Sequence, residues 1–183
     1  AAVREAEDGP DFVAEVERET GIRLFVIDGP EEARLSAQGV LLGWPGAYGL
    51  VCDMGGSSME LAEIDGGRVG RCVSAKLGPL KLRDLKGGKK ARKALIRETV
   101  ERLRDGLGEQ KNRLFLVGGS WRAIARVDMA RRGYPLHVLH EYRMTAADLR
   151  ATIKHIAKHD ADALRAQSGV SAARIALVPF AAE

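Results

Sequence analysis

The sequence predicts an α/β fold, and three observations lead to this prediction. Residues 50–76 alternate apolar runs with two glycine-containing turns, the pattern of a three-stranded antiparallel meander. Residues 95–107 repeat apolar side chains at the spacing of a buried helix face. Residues 113–132 combine a short apolar run, a Gly-Gly pair and a second helical segment. A chain of 183 residues is long enough to bury one substantial core, in one or two lobes.

Composition excludes several classes of protein. The chain is 45% hydrophobic and 30% charged, as in ordinary globular proteins. Its net charge of +4 favours an anionic partner such as nucleic acid, an acidic membrane surface, nucleotides or polyphosphate. No stretch approaches the ~18 consecutive apolar residues of a membrane span, and no signal-peptide pattern is present. We therefore expect a cytoplasmic protein with no membrane partner, in which Cys52 and Cys72 are free buried thiols.

The first forty residues predict two helices separated by a strand. Residues 9–21 contain a proline in the first turn and a glycine just past the end, which favours a helix. Residues 22–27 are apolar enough for a short strand. Residues 28–43 read as a turn followed by a helix whose first turn carries two glutamates, which favour the positive end of the helix dipole.

The stretch 50–64 carries the strongest chemical signal. Apolar runs flank Gly55-Gly56-Ser57-Ser58, a turn that permits positive φ and close backbone approach. If the methionines beside the turn face each other, Asp53 lies directly opposite Glu60. Facing residues have Cβ atoms roughly 4.5–5.5 Å apart, so the two carboxylates repel each other unless a positive charge lies between them.

Two kinds of group could supply this positive charge. One is a neighbouring Lys or Arg. The other is a hard divalent cation, with Mg²⁺ the first choice, held by Asp53 and Glu60 and completed by waters and phosphate oxygens. The amides and hydroxyls of the turn suit a phosphate oxyanion. On this second interpretation, metal and phosphate meet at one hairpin.

The hairpin resembles the D-I-G-G-G-S-T-E segment of the exopolyphosphatase and guanosine pentaphosphate phosphatase family, within the actin-like ATPase and sugar kinase superfamily. The residues that match are Asp53, Gly55, Gly56, Ser58 and Glu60. Ser57 replaces the third glycine and Met59 replaces the threonine. A Cβ at position 57 is unfavourable if φ is positive there, and Met59 removes a hydroxyl, so both departures bear on phosphate affinity or turnover.

Other segments resemble the same family in the same order. Glu32, within Gly29–Leu35, matches the second glutamate of S-G-x-E-E-A-R-L, which is taken as the catalytic base. Arg4 matches an arginine expected to face the phosphate. Residues 77–82 resemble a G-x-x-R/K-L loop whose glycine and lysine could line the anion path. Gly118-Gly119 resembles the second glycine motif, G-G-T/S, which closes over nucleotide or phosphate.

Each match has a simpler alternative. Acidic residues in a first helical turn commonly only cap the helix. An arginine near a chain end and a lysine in a loop are often just solvated. A Gly-Gly pair before a helix also permits tight packing of strand against helix, although free amides and the helix dipole make a natural anion site there.

The resemblance implies an actin-like (ribonuclease H-like) α/β lobe with a mixed sheet and flanking helices, truncated at both ends. Residues 1–43 would be the end of a first lobe and residues 44–183 a second lobe. It also implies Mg²⁺-dependent removal of the terminal phosphate from inorganic polyphosphate or guanosine pentaphosphate. The implied roles are metal binding by Asp53 and Glu60, phosphate binding by Gly55, Gly56, Ser57, Ser58, Gly118 and Gly119, and catalysis by Glu32 and Arg4.

Three other interpretations stay open from the sequence. A non-catalytic module that binds polyphosphate or a guanosine nucleotide is favoured by Ser57, by Met59 and by the expected absence of an upstream phosphate loop. A sugar or acid kinase of the same superfamily would need a base pocket and an acceptor site. A lobe that serves only a homodimer is the simplest outcome.

The remaining segments carry weaker signals. The basic run 86–93 has no aromatic residue, so we rank a solvated loop first, a polyanion-guiding patch second and a nucleic-acid contact last. Residues 113–117 predict a buried strand, and residues 135–142 alternate like another strand. Thr145 to Asp148 predicts a capped helix start. His155 and His159 lack the neighbouring glutamate of the usual zinc pattern, which argues against a shared metal.

Overall fold

The structure is a computed structural model that describes residues 2–108 and 112–183. Helices and strands alternate in the described residues, which confirms the predicted α/β class. The strands are β1 (Gly49–Met54), β2 (Met59–Asp65), β3 (Arg68–Ala75) and β4 (Leu114–Val117). The helices are α1 (Ala2–Glu5), α2 (Gly9–Thr20), α3 (Gly29–Gly43), α4 (Pro79–Asp84), α5 (Gly88–Asp105), α6 (Gly119–Arg132), α7 (Ala146–Ile156), α8 (Ala161–Ser168), α9 (Ala172–Ile175) and α10 (Val178–Ala181).

The chain divides into two compact units. Unit 1 comprises Ala1–Asp53, Ser57–Lys76 and Thr99–Phe115, as far as the structure describes them. Unit 2 comprises Met54–Gly56, Leu77–Glu98 and Leu116–Glu183. This division does not test the boundary expected between residues 43 and 44, which stays a prediction.

The sheet has the strand order β3-β2-β1-β4. β2 and β3 pair antiparallel around Gly66 and Gly67, whose φ values of 54° and 74° suit the two central residues of a tight hairpin turn. Four residues connect β1 to its neighbour β2, which is too short for a parallel crossover. The predicted meander is therefore confirmed. Helix α3 packs against β2 and β3, and its buried Ala33 and Ala37 allow close approach.

A β-bulge in β3 determines which residues share a face of the sheet. Gly70 and Arg71 of β3 together oppose Glu63 of β2, and the register shifts there. Beyond the bulge, Glu60 pairs directly with Ser74. Without the extra residue, Ser74 would point to the opposite face, because a one-residue slip inverts every side chain.

Two predicted strands are wrong. Residues 22–27 and 135–142 form no strand. Phe25 is 75% exposed and Val138 is 60% exposed. A strand needs a neighbour that completes its backbone hydrogen bonds, and neither segment belongs to the four-stranded sheet of the described residues.

The predicted strand at residues 113–117 is confirmed, but its predicted burial is wrong. β4 exists, but Leu114 is 51% exposed and Leu116 is 37% exposed. The reason is the position of β4 at the edge of the sheet, where alternate side chains are left uncovered in the described residues.

Two predicted loops contain helix. Residues 77–82 include the start of α4, and the basic run 86–93 lies largely within α5, which begins at Gly88. On the predicted apolar face of α5, Leu103 and the following Leu107 are buried, whereas Val100 is 47% exposed.

Unit 2 has its own core around α6. This helix packs against α7, α8, α9 and α10. The buried members are Ala123, Ile124, Val127, Ile156, Leu164, Val170, Ile175 and Val178. The predicted start of α7 is confirmed, since Thr145 and Asp148 form a reciprocal capping box.

Cys52 and Cys72 are free thiols as predicted, but only Cys52 is fully buried. In the described ranges 2–108 and 112–183, no helix combines the length and apolar character needed to cross a membrane.

Candidate functional site

Helix α3 carries one side of the candidate site. The helix begins where the Asp28 carboxylate accepts a hydrogen bond from the Glu31 amide at 2.8 Å. From this start, Gly29, Glu32 and Ser36 recur three and four residues apart and so lie on one helix face. That face meets the strands that carry the two predicted metal ligands.

Glu60 is buried where α3 approaches β2 and β3. Its side chain is 1% exposed, and the Ser74 hydroxyl donates a hydrogen bond to its Oε1 at 3.0 Å. Gly29 makes this approach possible, because a Cβ there would lie 2.2 Å from the Ser74 Oγ. The first turn of α3 therefore rests directly against the Glu60-Ser74 pair.

Asp53 is held by the same helix. The Ser36 hydroxyl donates a hydrogen bond to its Oδ2 at 2.5 Å. The Asp53 side chain is half-buried, so its second oxygen keeps a path to solvent or to a ligand. Ser36 and Ser74 each orient one predicted metal ligand, and no motif in the sequence marks either serine.

Glu32 and Arg4 form an ion pair. Both terminal nitrogens of Arg4 donate to Glu32 Oε2, at 3.3 and 3.2 Å, and one of them also donates to the Ile27 carbonyl at 2.6 Å. The Arg4 and Glu32 side chains are 24% and 33% exposed. The structure thus brings together the two residues to which the resemblance assigned catalysis, and leaves both accessible.

Three carboxylates act on one another in this region. Burial raises the pKa of Glu60, and the negative charges of Glu32 and Asp53 raise it further. Hydrogen bonds from Ser58 and Ser74 oppose this rise but do not cancel it. The expected proximity of Asp53 to Glu60 is consistent with this interaction, while their exact facing register stays a prediction.

The carboxylate oxygens of Asp53 and Glu60 fit the ligand preference of Mg²⁺. Within residues 2–108 and 112–183, no group of three or more His, Cys, Asp and Glu side chains is arranged to hold a metal. Mg²⁺ does not need such a cage, because it is usually held by one or two carboxylates together with waters and substrate phosphates. Asp53 and Glu60 supply two carboxylates, and the repulsion on Glu60 is what a cation would relieve.

Replacing Glu60 by Gln is expected to stabilise the chain when no divalent cation is present. The change removes a buried charge that lies in the field of two other carboxylates. We expect a gain of about 1 kcal/mol, or roughly 2–4 °C in the thermal midpoint. Added Mg²⁺ should raise the midpoint of the unaltered chain and leave that of Glu60→Gln unchanged, as measured by calorimetry.

Glu63 offers a control on the same strand. Its carboxylate accepts hydrogen bonds from the Arg71 and Gly108 amides. Glu63→Gln should therefore lower the midpoint without changing the response to Mg²⁺. A lower midpoint for Glu60→Gln without cation, or equal responses of both variants to Mg²⁺, would contradict the assignment.

The glycine turn has an ordinary backbone. Among the described residues, Glu141 is the one non-glycine with positive φ, so the Cβ of Ser57 meets no left-handed conformation. Gly55 and Gly56 also have no positive φ. Gly56 instead lies close to the start of α4: its carbonyl accepts a hydrogen bond from the Leu80 amide at 2.9 Å, and a Cβ would lie 2.7 Å from Leu80 Cδ1, the movable end of that side chain.

The second glycine motif begins α6. Gly118 precedes the helix with φ of 105°, a value that favours glycine. A Cβ on Gly119 would lie 2.1 Å from a terminal nitrogen of Arg174. A guanidinium thus lies beside the free amides of a helix start, which is chemistry suited to an anion. No spacing in the sequence signals Arg174.

The two histidines are engaged with protein groups. His155 Nε2 lies 3.0 Å from the Gln167 side-chain oxygen, and His159 Nδ1 lies 2.8 Å from the His155 carbonyl. The expectation that the pair shares no metal stays a prediction.

Curated relatives match a short stretch of the chain. Exopolyphosphatase 1 of Mycobacterium leprae (strain TN) is 41% identical over 64 residues, which is 34% of this chain and 19% of that protein. Exopolyphosphatase 1 of Mycobacterium tuberculosis (strain ATCC 25618 / H37Rv) is 38% identical over 64 residues, with the same shares.

Solved structures match nearly the whole chain. An exopolyphosphatase from Cytophaga hutchinsonii ATCC 33406 has a TM-score of 0.80 at 20% identity, over 99% of this chain and 62% of that one. A Ppx/GppA family member from Aquifex aeolicus has a TM-score of 0.73 at 19% identity, over 98% of this chain and 60% of that one. The expected actin-like α/β fold with a mixed sheet is thus confirmed.

The chain spans 62% of the length of the Cytophaga hutchinsonii structure. The sequence match to Exopolyphosphatase 1 is shorter and covers 19% of that protein. The family model gives the broadest match to the sequence itself. The model described as Ppx/GppA phosphatase family matches residues 1–182, and the chain therefore belongs to the Ppx/GppA phosphatase family.

Proposed function

We propose that the gene product containing this chain is a Mg²⁺-dependent phosphohydrolase that releases the terminal phosphate of inorganic polyphosphate. Membership of the phosphatase family and the names of the exopolyphosphatase relatives support this chemistry. The observation that carries it is the carboxylate cluster of unit 1. There a buried Glu60 lies in the field of Asp53 and Glu32, and Glu32 is itself paired with Arg4.

Asp53 and Glu60 would hold the Mg²⁺. When bound, the ion neutralises charge on the phosphate oxygens and helps to align the phosphate. Ser36 and Ser74 fix one oxygen of each carboxylate, so that the other oxygen of each is directed consistently.

Glu32 would act as the general base. Its carboxylate takes a proton from a water whose oxygen attacks the terminal phosphorus, while the bond from phosphorus to the bridging oxygen breaks and the shortened chain leaves. Arg4 fixes the Glu32 carboxylate through two contacts and offers a positive charge to the phosphate.

The glycine motifs would bind phosphate oxygens. Amides of Gly55 and Gly56 and the hydroxyls of Ser57 and Ser58 suit one phosphate. Gly118, Gly119 and the α6 helix start, with Arg174 beside them, suit another anion. Arg174, like Ser36 and Ser74, is not among the residues expected from the sequence.

Guanosine pentaphosphate is kept as an alternative substrate, because it carries the same terminal phosphate chemistry. A non-catalytic binding module is the second candidate function, and Met59 favours it by removing a turn hydroxyl. Ser57 no longer favours it, because its backbone is ordinary. A cytoplasmic location and a homodimer stay predictions.

The test is phosphate release from tripolyphosphate, long-chain polyphosphate and guanosine pentaphosphate, each with Mg²⁺ or with a chelator. It should be run on the 183-residue chain and on the gene product that contains it. We expect release from polyphosphate by the gene product that stops when Mg²⁺ is removed. Binding of either polyanion without any release would replace the hydrolase by the binding module.

A further inference from the structure

Helix α1 carries Arg4 to the candidate site, yet α1 buries none of its own residues. It packs against α2, and α2 in turn buries only its first residue, Gly9. A short helix without buried side chains opens at little cost in free energy, because few apolar contacts are lost when it does. Polar contacts must therefore supply much of the force that holds Arg4 in place.

Two sets of polar contacts tie α1 to other parts of unit 1 in the described residues. Arg4 donates to Glu32 and to the Ile27 carbonyl. The next residue, Glu5, forms an ion pair with Lys76, whose Nζ lies 3.5 Å from Glu5 Oε1. The Glu5 side chain is 30% exposed and the Lys76 side chain is 70% exposed. Successive residues of α1 are thus attached to two different elements, α3 and the end of β3.

Lys76 lies where β3 reaches the carboxylate cluster. It directly follows the last residue of β3 and is two residues from Ser74, which orients one of the predicted metal ligands. Ser74 also lies against Gly29 in the first turn of α3. The ion pair from Glu5 to Lys76 therefore joins α1 to the same junction of β3 and α3 that holds the cluster.

We propose that the ion pair between Glu5 and Lys76 fixes α1 against the end of β3 and thereby positions the Arg4 guanidinium. Glu5 and Lys76 are then positioning residues, which affect phosphate release only through Arg4. This inference rests on the proposed function, because that function assigns catalysis to Arg4 and Glu32. An exposed ion pair contributes little to a well-packed element, but α1 has no buried side chain, so its closed state depends on contacts of this size.

The test uses the gene product with Lys76→Gln, with Glu5→Gln, with both changes, and with Lys76→Arg, which keeps the positive charge. The matched control is Glu7→Gln, which removes one negative charge from the exposed turn after α1. Hydrogen exchange of the Ala6 amide reports on α1 directly, because this amide donates to the Ala2 carbonyl at 3.0 Å. That measurement needs no catalysis.

We expect the Ala6 amide to exchange about twofold to fivefold faster in both single variants, as follows from the loss of an exposed ion pair. The double variant should exchange no faster than the single variants, because each single change already breaks the pair. Lys76→Arg and the Glu7→Gln control should exchange like the unaltered protein. High salt should speed exchange in the unaltered protein and have little effect in the single variants, because salt screens the pair.

Phosphate release from tripolyphosphate should follow the same pattern in kcat. We expect kcat to fall by about twofold to fivefold in both single variants, while KM stays within about twofold. Lys76→Arg and Glu7→Gln should keep the kcat of the unaltered protein. In an Arg4→Gln background, Lys76→Gln should lower kcat no further, because the residue on which it acts is already gone.

Three results would overturn the inference. The first is an unchanged exchange rate of the Ala6 amide in both single variants. The second is a loss of kcat from Lys76→Gln that persists in the Arg4→Gln background, which would show that Lys76 does not act through Arg4. The third is a rise in KM at constant kcat, which would place Lys76 on the phosphate itself. If the unaltered protein releases no phosphate, the proposed function fails, and the exchange rates still decide whether the ion pair holds α1.

Discussion

Replacing Glu32 by Gln is expected to slow phosphate release from polyphosphate by about 10²–10⁴-fold, while polyphosphate binding stays within about twofold. Glutamine keeps the size of the side chain and an oxygen that can accept from Arg4, so α1 and α3 should keep their contact. It cannot take the proton of the attacking water. The loss should therefore appear in kcat and not in KM.

Glu31 provides the control, because it is the neighbouring glutamate of the same helical turn. Its carboxylate pairs with Arg34, which lowers the pKa of Glu31 mainly through a side-chain hydrogen bond. The pair is an exposed i,i+3 ion pair of the kind that contributes little to stability. Glu31→Gln should therefore change the rate by less than about twofold.

Single-turnover release from tripolyphosphate separates the two glutamates. If Glu32→Gln keeps the rate of the unaltered protein, Glu32 is not the base. If Glu31→Gln loses as much as Glu32→Gln, the first turn of α3 has only a structural role, since both changes would then act through the helix start.

The sequence was most informative where local chemistry decides structure. Two glycines with positive φ determine the β2-β3 hairpin, and Asp28 and Thr145 cap the helices that they precede. These features were predictable because each depends on residues within one turn of one another.

Long-range contacts decided the rest. Residues 22–27 and 135–142 have strand-like patterns, but a pattern does not supply a neighbouring strand. The burial of β4 failed for the same reason, because the strand order leaves it at an edge. A sequence window contains neither the order of strands nor the cover over a sheet.

The residues of the candidate site show the same difference between local and long-range determinants. Asp53, Glu60 and Glu32 could be identified from the sequence because they lie in short recognisable segments. Ser74 could not, because it faces Glu60 only through the β-bulge on β3. The condition under which Ser57 would be strained is not met, because φ at Ser57 is not positive. The residues proposed to perform the chemistry can therefore be recognised from their residue type in a motif. The residues that orient them can be recognised only when the strand register is known.

Asp128 is the buried charge on which the packing of α6 in unit 2 is expected to depend most. It is 0% exposed, and its carboxylate accepts hydrogen bonds from Thr152 at 2.6 Å, Tyr142 at 2.6 Å and Arg131 at 2.7 Å. These bonds join α6 to α7 and to the irregular segment before it. Asp128→Ala should lower the free energy of unfolding by about 3 kcal/mol, because it leaves the Arg131 charge and the half-buried Tyr142 hydroxyl without their acceptor. The Thr152 hydroxyl keeps the Asp148 carbonyl oxygen, at 2.9 Å, as an acceptor.

The loss of stability caused by Asp128→Ala should become smaller at low pH. Burial alone would raise the pKa of Asp128, but the hydrogen bonds from Thr152, Tyr142 and Arg131 together lower it below its ordinary value of 3.8. A carboxyl group with a lowered pKa in the folded state contributes stability that is fully present above its unfolded pKa. That contribution is lost as the pH falls through the folded pKa. The difference between the unaltered chain and Asp128→Ala should therefore be constant from about pH 5 to 8 and shrink below about pH 4.

Urea unfolding followed by the fluorescence of Trp121, which packs against the unit 2 core, measures this difference. A Trp44→Phe background isolates that signal, since the chain contains two tryptophans. Asp162→Ala on the exposed start of α8 should cost less than about 1 kcal/mol and serves as the control. A cost for Asp128→Ala as small as that of the control would show that its three donors find water or other acceptors. A large cost that persists unchanged to pH 3 would show that side-chain volume, and not charge, holds α6 against α7.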